Sequence, residues 1–296
     1  MRFILLAIIL VSAAYGGREV AITIDDLPRG GDASTDAAAT LRMTRKLSEP
    51  FRRDRIPVTG FVHECLRPEV LQDALQLWKA AGADLGNHTC SHSDLNSTPL
   101  EAYKSDILKG EKVTTTILGR RPRYFRHPFL HAGKEAETKR SITAFLKDQG
   151  YTIAPVTLDN SDYMFAAVYA KAQQRNDASL ADRIRATYLT YMDSIFDFFE
   201  KRSVEVAGHE IRQILLIHAS QLNADAMPDL LSMMKRRGYT IVPLERALED
   251  PAYQLPEEYV GPGGFSWIHR WSKTKGMPGK GEPEEPAWIR DLYEQR

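Results

Sequence analysis

The sequence has no excess charge of either sign, because 39 lysines and arginines balance 39 aspartates and glutamates over 296 residues. A basic excess is what attracts a protein to a nucleic-acid backbone, so we expect no nucleic-acid partner. No internal repeat of solenoid period is visible either. With 43% apolar and 26% charged residues, the chain is long enough for one large or two modest globular domains.

Cysteine is scarce. Cys65 and Cys90 are the two cysteines of the chain, too few for a disulfide framework. Export would allow a bridge between them, but no spacing argument requires one. Buried free thiols are therefore the favoured expectation.

Long apolar runs are missing except at the N-terminus. Arg2 is followed by an apolar run at residues 3–11 and by small residues up to Gly16. This pattern is typical of an export signal over residues 1–16, and the run is too short to span a bilayer. A buried N-terminal strand is the alternative. We expect a secreted, periplasmic or cell-surface protein with no stable membrane insertion after signal cleavage.

Apolar segments alternate with helical patterns along most of the chain, which predicts an α/β fold with a parallel sheet, open or closed into a barrel. The predicted strands are residues 19–24, 56–62, 83–85, 124–129, 151–158, 214–218 and 239–242. A helical insertion at about 163–210 interrupts the alternation, and a cleft wall is its alternative interpretation. The predicted domain is 17–250, and residues 251–296 are expected to be a C-terminal extension that packs on it.

Polar side chains follow nearly every predicted strand, at the sheet edge where catalytic residues collect in α/β folds. His88 and His92 are four positions apart, and a helical turn there would put both imidazoles on one face. Two imidazoles make half of a zinc-type site, whose third ligand is usually a carboxylate. Asp25 and Asp26, directly after the first strand, are candidates. The pattern predicts a three-ligand metal site with an additional acid and base.

Five segments resemble, in order and spacing, the motifs of the NodB-like polysaccharide deacetylases of carbohydrate esterase family 4. They are residues 23–28, 88–92, 126–129, 159–163 and 215–218, within a match that runs from Val20 to Val242. The resemblance implies a distorted (β/α) barrel of the polysaccharide deacetylase type. It also implies a hydrolase acting on linear amides, which removes N-acetyl groups from N-acetylglucosamine-containing glycans such as peptidoglycan or chitin.

The resemblance further implies a role for each matching residue. The metal ligands would be Asp26, His88 and His92, with zinc as the first choice of divalent ion because two imidazoles and one carboxylate suit it. Asp25 would be the general base that takes a proton from a metal-bound water. Arg126 would hold Asp25 in place and keep it ionised.

The acid side of the reaction would depend on His218, which protonates the departing amine. Asp162 is the first choice for the residue that orients His218 and raises its pKa, and Asp159 is the second. Phe129 and Tyr163 would line an apolar acetyl pocket or simply pack.

Three positions depart from the family pattern: Ile24, Leu27 and Tyr163. Leu27 and Tyr163 stand where the resemblance implies the substrate groove, so two alternative substrate classes are kept. These are O-acetyl esters of the xylan type and short oligosaccharides. A glycan-binding module without turnover is a further alternative, although it would need neither the base Asp25 nor the acid His218. The sequence does not indicate an oligomeric state.

Overall fold

The computed structural model describes residues 17–30, 36–63 and 68–295. The predicted export signal and Cys65 lie outside these residues. Seven parallel strands are found in the described part of the chain. They are β1 Glu19–Leu27, β2 Thr59–Val62, β3 Asp84–Asn87, β4 Tyr124–Phe125, β5 Thr152–Ile153, β6 Gln213–His218 and β7 Thr240–Ile241.

The strands form one curled sheet in the order β5-β4-β3-β2-β1-β6, with β7 paired to the start of β1. A parallel bridge between Leu158 and Leu215 joins the chain after β5 to β6 at the other end of this order. The predicted α/β barrel, distorted and made of parallel strands, is therefore confirmed.

Helices surround this sheet. They are α1 Ala37–Asp54, α2 Pro68–Ala80, α3 Leu100–Leu118, α4 Ala136–Asp148, α5 Asp162–Gln174, α6 Ala178–Ala207, α7 Gln221–Arg236, α8 Leu244–Leu248, α9 Trp267–Thr274 and α10 Ala287–Glu294. Because helices cover the sheet, β1 is buried along almost its whole length, Asp25 and Asp26 included. Across the described residues, no helix combines the length and apolarity needed to cross a membrane.

Two predicted strands are much shorter than expected. The predicted strand 124–129 keeps two residues as β4, because the chain turns into a single 3-10 turn at Pro128–Leu130. The predicted strand 151–158 keeps two residues as β5. Pro155 interrupts it because proline has no N–H to donate, and the N–H groups of Thr157 and Leu158 then donate to the carbonyl oxygen of Ile214 in β6.

Cys90 is disulfide-bonded, so the expectation of a free thiol is wrong for this residue. Spacing along the chain does not indicate a bridge, whereas a parallel sheet brings together loops that are far apart in sequence. Val62 at the end of β2 is in register with Asn87 at the end of β3, so the loops that follow these two strands start side by side.

We call residues 251–295 the C-terminal segment. It contains a 3-10 turn at Pro251–Gln254 and the helices α9 and α10. Helix α9 packs on α6 and helix α10 packs on α5. The segment also approaches the loops at the carboxyl edge of the sheet, where Trp267 N–H donates to the carbonyl oxygen of Val156.

Candidate active site

The predicted site residues Asp25, His88, Arg126 and His218 lie at or directly after the carboxyl ends of β1, β3, β4 and β6. Asp25 on β1 is in direct register with His218 on β6. The backbone N–H of His88 donates to the carbonyl oxygen of Val62 at the end of β2. The backbone N–H of Arg126 donates to the carbonyl oxygen of Asn87 at the end of β3. The sheet register therefore places these side chains along one edge.

Asp25 and Asp26 lie at an irregularity in β1. The pairing register with β2 shifts between Ile24 and Leu27, and Asp26 adopts a left-handed φ of 62°. Successive side chains of a regular strand point to opposite faces, and a bulge re-aims them. Both carboxylates consequently reach the same imidazole: Asp25 Oδ2 is 3.8 Å and Asp26 Oδ1 is 3.5 Å from His88 Nε2.

The segment from His88 to His92 is a loop, so the expectation of a helical turn is wrong. Thr89 and His92 have φ values of 65° and 55°, which turn the chain sharply instead of coiling it. The two imidazoles still meet, with ring centroids 4.9 Å apart. A loop with left-handed residues gives no periodic sequence signal, which is why the pattern misled.

Helix α3 supports this loop. Asp106 Oδ2 accepts hydrogen bonds from Ser91 N–H, Ser91 Oγ and Ser93 Oγ at 2.8–3.0 Å. Gly110 lies against the loop so closely that an added Cβ would be 2.8 Å from the carbonyl oxygen of Thr89. Neither α3 residue could be identified from the sequence, because both are far from the motif in the chain.

Asp26, His88 and His92 fit a divalent cation. One ligand atom from each lies within 4.8 Å of the others, and Asp26 Oδ1 is 3.2 Å from His92 Nε2. That buried oxygen has no hydrogen-bond partner among the described residues. His88 Nδ1 is 2.8 Å from the carbonyl oxygen of Arg126. A carbonyl can only accept, so Nδ1 carries the proton and Nε2 presents its lone pair, as in metal-bound histidines.

The charge states of these groups also suit a cation. Burial lowers the pKa of His88 well below its usual range, which keeps the imidazole neutral. Burial acts to raise the pKa of Asp26, but His92 and His63 outweigh it and the pKa lies well below the usual range. His63 lies at the rim, with Nε2 3.9 Å from Asp26 Oδ1 and 3.1 Å from the carbonyl oxygen of Arg29.

Arg126 is fully buried and holds Asp25. Its Nη1 donates to Asp25 Oδ1 at 2.8 Å and to Thr23 Oγ1 at 2.7 Å, and its guanidinium lies 4.3 Å from the ring centroid of Phe61. Burial raises the pKa of Asp25, and Arg126 offsets this only in part. Arg126 acts in the expected direction, since it favours the ionised form of Asp25, but desolvation has the larger effect on the pKa.

His218 is oriented by Asp162, the first residue of α5. Asp162 Oδ1 is 2.7 Å from His218 Nδ1, and Oδ2 accepts from the His218 backbone N–H at 2.8 Å. Asn223 Nδ2 donates to the same Oδ2 at 2.7 Å. Burial acts to lower the pKa of His218, but the Asp162 carboxylate outweighs it and raises the pKa to about 10. Asn223 was missed, because nothing in the sequence links it to either motif.

Asp159, the second choice for orienting His218, has a different role. Its Oδ1 accepts from the backbone N–H of Asn160 at 3.0 Å, as in a turn. Burial raises the pKa of Asp159 to about 7, with a contribution from Glu282 of the C-terminal segment.

Phe129 and Tyr163 are both exposed, at 52% and 43%, so neither packs in the core. The ring centroid of Phe129 lies 4.5 Å from that of His92. Tyr163 contacts Tyr293 of α10, with centroids 6.0 Å apart. An exposed aromatic ring beside His92, a candidate metal ligand, is suited to contact a substrate.

Residues 13–154 match the family model described as polysaccharide deacetylase. The chain is 24% identical over 152 residues to a peptidoglycan-N-acetylglucosamine deacetylase of Bacillus cereus, covering 51% of this chain and 49% of that protein. It is 25% identical over 240 residues to a chitin deacetylase of Colletotrichum lindemuthianum, and this match covers 78% of this chain and 79% of that protein. The match thus spans about half of the Bacillus cereus relative.

Solved structures share the fold. That of the chitin deacetylase from Colletotrichum lindemuthianum has a TM-score of 0.54 at 22% identity, covering 81% of this chain and 89% of its own. The structure of a pseudoenzyme of carbohydrate esterase family 4 from Bacillus anthracis has a TM-score of 0.52 at 14% identity. The match covers 78% of this chain and 66% of the pseudoenzyme chain. The fold therefore accompanies both a deacetylase and a pseudoenzyme, and function has to be argued from the site.

Proposed function

Because the chain carries a polysaccharide deacetylase domain, we propose that it is a metal-dependent hydrolase that removes N-acetyl groups from N-acetylglucosamine-containing glycans. One observation supports this most directly. A buried carboxylate held by arginine, Asp25, and an imidazole held by a carboxylate, His218, stand in register on adjacent strands. They lie beside a group of three potential metal ligands. A binding module would need neither of the two.

Asp26, His88 and His92 would hold the cation, and zinc is our first choice because zinc sites commonly combine imidazole and carboxylate ligands. A divalent ion there would lower the pKa of water toward about 7 and polarise the acetyl oxygen.

The chain's own residues would move the protons. Asp25 Oδ1 is engaged by Arg126, so Oδ2 is the oxygen available to take a proton from the attacking water. His218 Nδ1 is engaged by Asp162, which leaves Nε2 to protonate the leaving amine. The pKa of His218, raised to about 10, keeps this imidazole protonated at neutral pH, as an acid requires.

Acetate release tests the proposal. Purified protein loaded with zinc is incubated with chitin oligomers, with peptidoglycan and with acetylated xylan, and an Asp25→Asn variant serves as the matched control. We expect acetate from at least one of the first two substrates and none from the variant. Acetate from xylan alone would make the protein an O-acetyl esterase. No acetate from any substrate, with zinc bound, would favour a glycan-binding module.

We also propose that the protein acts after export. The N-terminal pattern of residues 1–16 supports this, and so does the disulfide at Cys90, because disulfides persist in oxidising compartments. N-terminal sequencing of the protein from its native host tests it. We expect the mature chain to begin at Tyr15 or Gly17, and an intact Met1 would contradict export by signal cleavage.

A further inference from the structure

The turn that carries Phe129 has an unusual backbone. Phe129 and Leu130 both have left-handed φ values, 57° and 55°, which non-glycine residues rarely adopt. The turn points the two side chains in different directions. Leu130 is buried with Val156 and Leu216, whereas Phe129 is exposed and lies beside His92. The position of the Phe129 ring therefore depends on a backbone conformation that the surrounding structure has to maintain.

Arg270 of α9 contacts this turn from the C-terminal segment. Its side chain is 1% exposed, and its Nη2 donates to the carbonyl oxygen of Leu130. Its Nε donates to the carbonyl oxygen of Phe265 at 3.1 Å, and its guanidinium lies 4.3 Å from the ring centroid of Trp267. Hydrogen bonds from a charged donor are about twice as strong as neutral ones. The bond from Arg270 is therefore well suited to hold the Leu130 carbonyl group in place and so maintain the left-handed turn.

Gly264 contacts the adjacent carbonyl. A Cβ added at Gly264 would lie 1.7 Å from the carbonyl oxygen of Phe129 and 3.0 Å from the ring of His131. Any side chain there would force the C-terminal segment and the turn apart. Two separate residues of the segment thus touch the two carbonyl groups of the strained turn.

We propose that Arg270 and Gly264 are positioning residues, through which the C-terminal segment fixes the Phe129 turn and the position of the Phe129 ring beside His92. Both lie outside residues 13–154, the part that matches the family model. The kinetic consequence rests on the proposed function, because a displaced Phe129 changes turnover only if a glycan occupies the cleft.

Arg202 provides a matched control. It is also a buried arginine, 4% exposed, and it also binds the C-terminal segment. Its Nη2 donates to the carbonyl oxygen of Pro278 at 2.9 Å and to Ser272 Oγ. These contacts anchor the segment to α6 and not to the Phe129 turn. Arg202→Met therefore removes a comparable attachment and leaves the turn's own contacts in place.

Hydrogen exchange is the first test, because it needs no activity. The N–H groups of Leu130 and His131 donate within the turn, to the carbonyl oxygens of His127 and Pro128. In Arg270→Met we expect the amides of the peptide 127–131 to exchange at least tenfold faster than in wild type, and in Arg202→Met at the wild-type rate. Equal exchange in Arg270→Met and wild type would overturn the proposal, whatever the activity.

Kinetics on chitin oligomers is the second test. We expect Arg270→Met to lower kcat/KM about tenfold or more, since a misplacement of about 1 Å can cost up to about 100-fold, with bound zinc unchanged. Arg270→Met combined with Phe129→Ala should be no worse than Phe129→Ala alone, because Arg270 acts through Phe129. Arg202→Met should instead add its effect to that of Phe129→Ala. Additive losses for Arg270 would contradict the positioning role.

Two further variants cover a failure of Arg270→Met to fold. Arg270→Lys retains a charged donor and should restore part of the loss, while Gly264→Ala should accelerate exchange at the same peptide without altering Arg270. If neither Gly264→Ala nor Arg270→Lys changes exchange at 127–131, the proposal is wrong. If exchange responds as expected but wild-type protein releases no acetate, the proposed function fails and the contact between segment and turn stands.

Discussion

The pKa values of the two adjacent aspartates, Asp25 and Asp26, are shifted in opposite directions. Burial raises the pKa of Asp25, whereas nearby imidazoles bring the pKa of Asp26 well below its usual range. Asp25 is therefore the one suited to accept a proton and Asp26 the one suited to stay ionised and bind a cation. The sequence alone could place both at the end of β1, but it gave no access to the burial and the φ of 62° that divide their roles.

Substituting the base tests this division. Asp25→Asn keeps the size of the side chain and one oxygen for Arg126, but it removes the group that accepts the proton. We expect kcat to fall about 10²- to 10⁴-fold while elemental analysis finds zinc as in wild type. A fully active variant would exclude Asp25 as the base, and a loss of zinc would mean that Asp25 is itself a ligand.

The pH profile tests the pair of His218 and Asp162. His218 has to be protonated to act as an acid, and its pKa of about 10 places the alkaline limb of activity far above neutrality. In Asp162→Asn the carboxylate is lost, so this limb should move down toward about 6.5, the ordinary value for histidine. Measuring kcat from about pH 5 to about pH 11, beyond the expected wild-type limb, shows the shift.

Asp159→Asn is the control for that profile. Asp159 accepts a hydrogen bond from Asn160 and not from His218, so the alkaline limb should stay close to its wild-type position. A larger shift in Asp159→Asn than in Asp162→Asn would reverse the assignment of the two aspartates. A wild-type profile with no alkaline limb up to about pH 11 would contradict proton transfer by His218.

At the scale of elements, predictability depended on whether a feature has a periodic signal. The buried parallel strands β1 and β6 contain nearly continuous apolar runs, at residues 20–24 and 214–217, and the ends of these runs located the site residues. The loop from His88 to His92 could not be predicted, because its shape follows from left-handed residues and from contacts with α3. The shortness of β5 follows from Pro155 and from pairing with β6, which is a long-range contact.

The docking of this loop on α3 can be tested at Gly110. In Gly110→Ala the new methyl would meet the backbone of Thr89 at 2.8 Å, so the loop has to move and the two imidazoles with it. We expect zinc affinity to fall about 10- to 100-fold, the range for residues that support metal ligands. Titration calorimetry measures it. Lys109→Ala, an exposed change on the same helix, should leave the affinity unchanged, and equal affinities in all three proteins would contradict the docking.

At the scale of the whole molecule, the candidate metal site joins β1 to the loop after β3, so cation binding should stabilise the fold. A ligand at 100 times its Kd adds about 2.7 kcal/mol to the stability of the native state, which for a chain of this size raises Tm by several degrees. We expect that rise when zinc is added to chelated wild-type protein, measured by calorimetry. His92→Ala should abolish it, and the same rise in both proteins would place the zinc elsewhere.

Metal-dependent deacetylation can be followed by mass spectrometry of N-acetylglucosamine oligomers. The oligomers are incubated with zinc-loaded protein and, in parallel, with chelated protein. We expect stepwise loss of acetyl groups with the loaded protein and intact oligomers with the chelated one. Equal loss in both samples would contradict the role of Asp26, His88 and His92, and intact oligomers and intact peptidoglycan with the zinc-loaded protein would contradict the deacetylase itself.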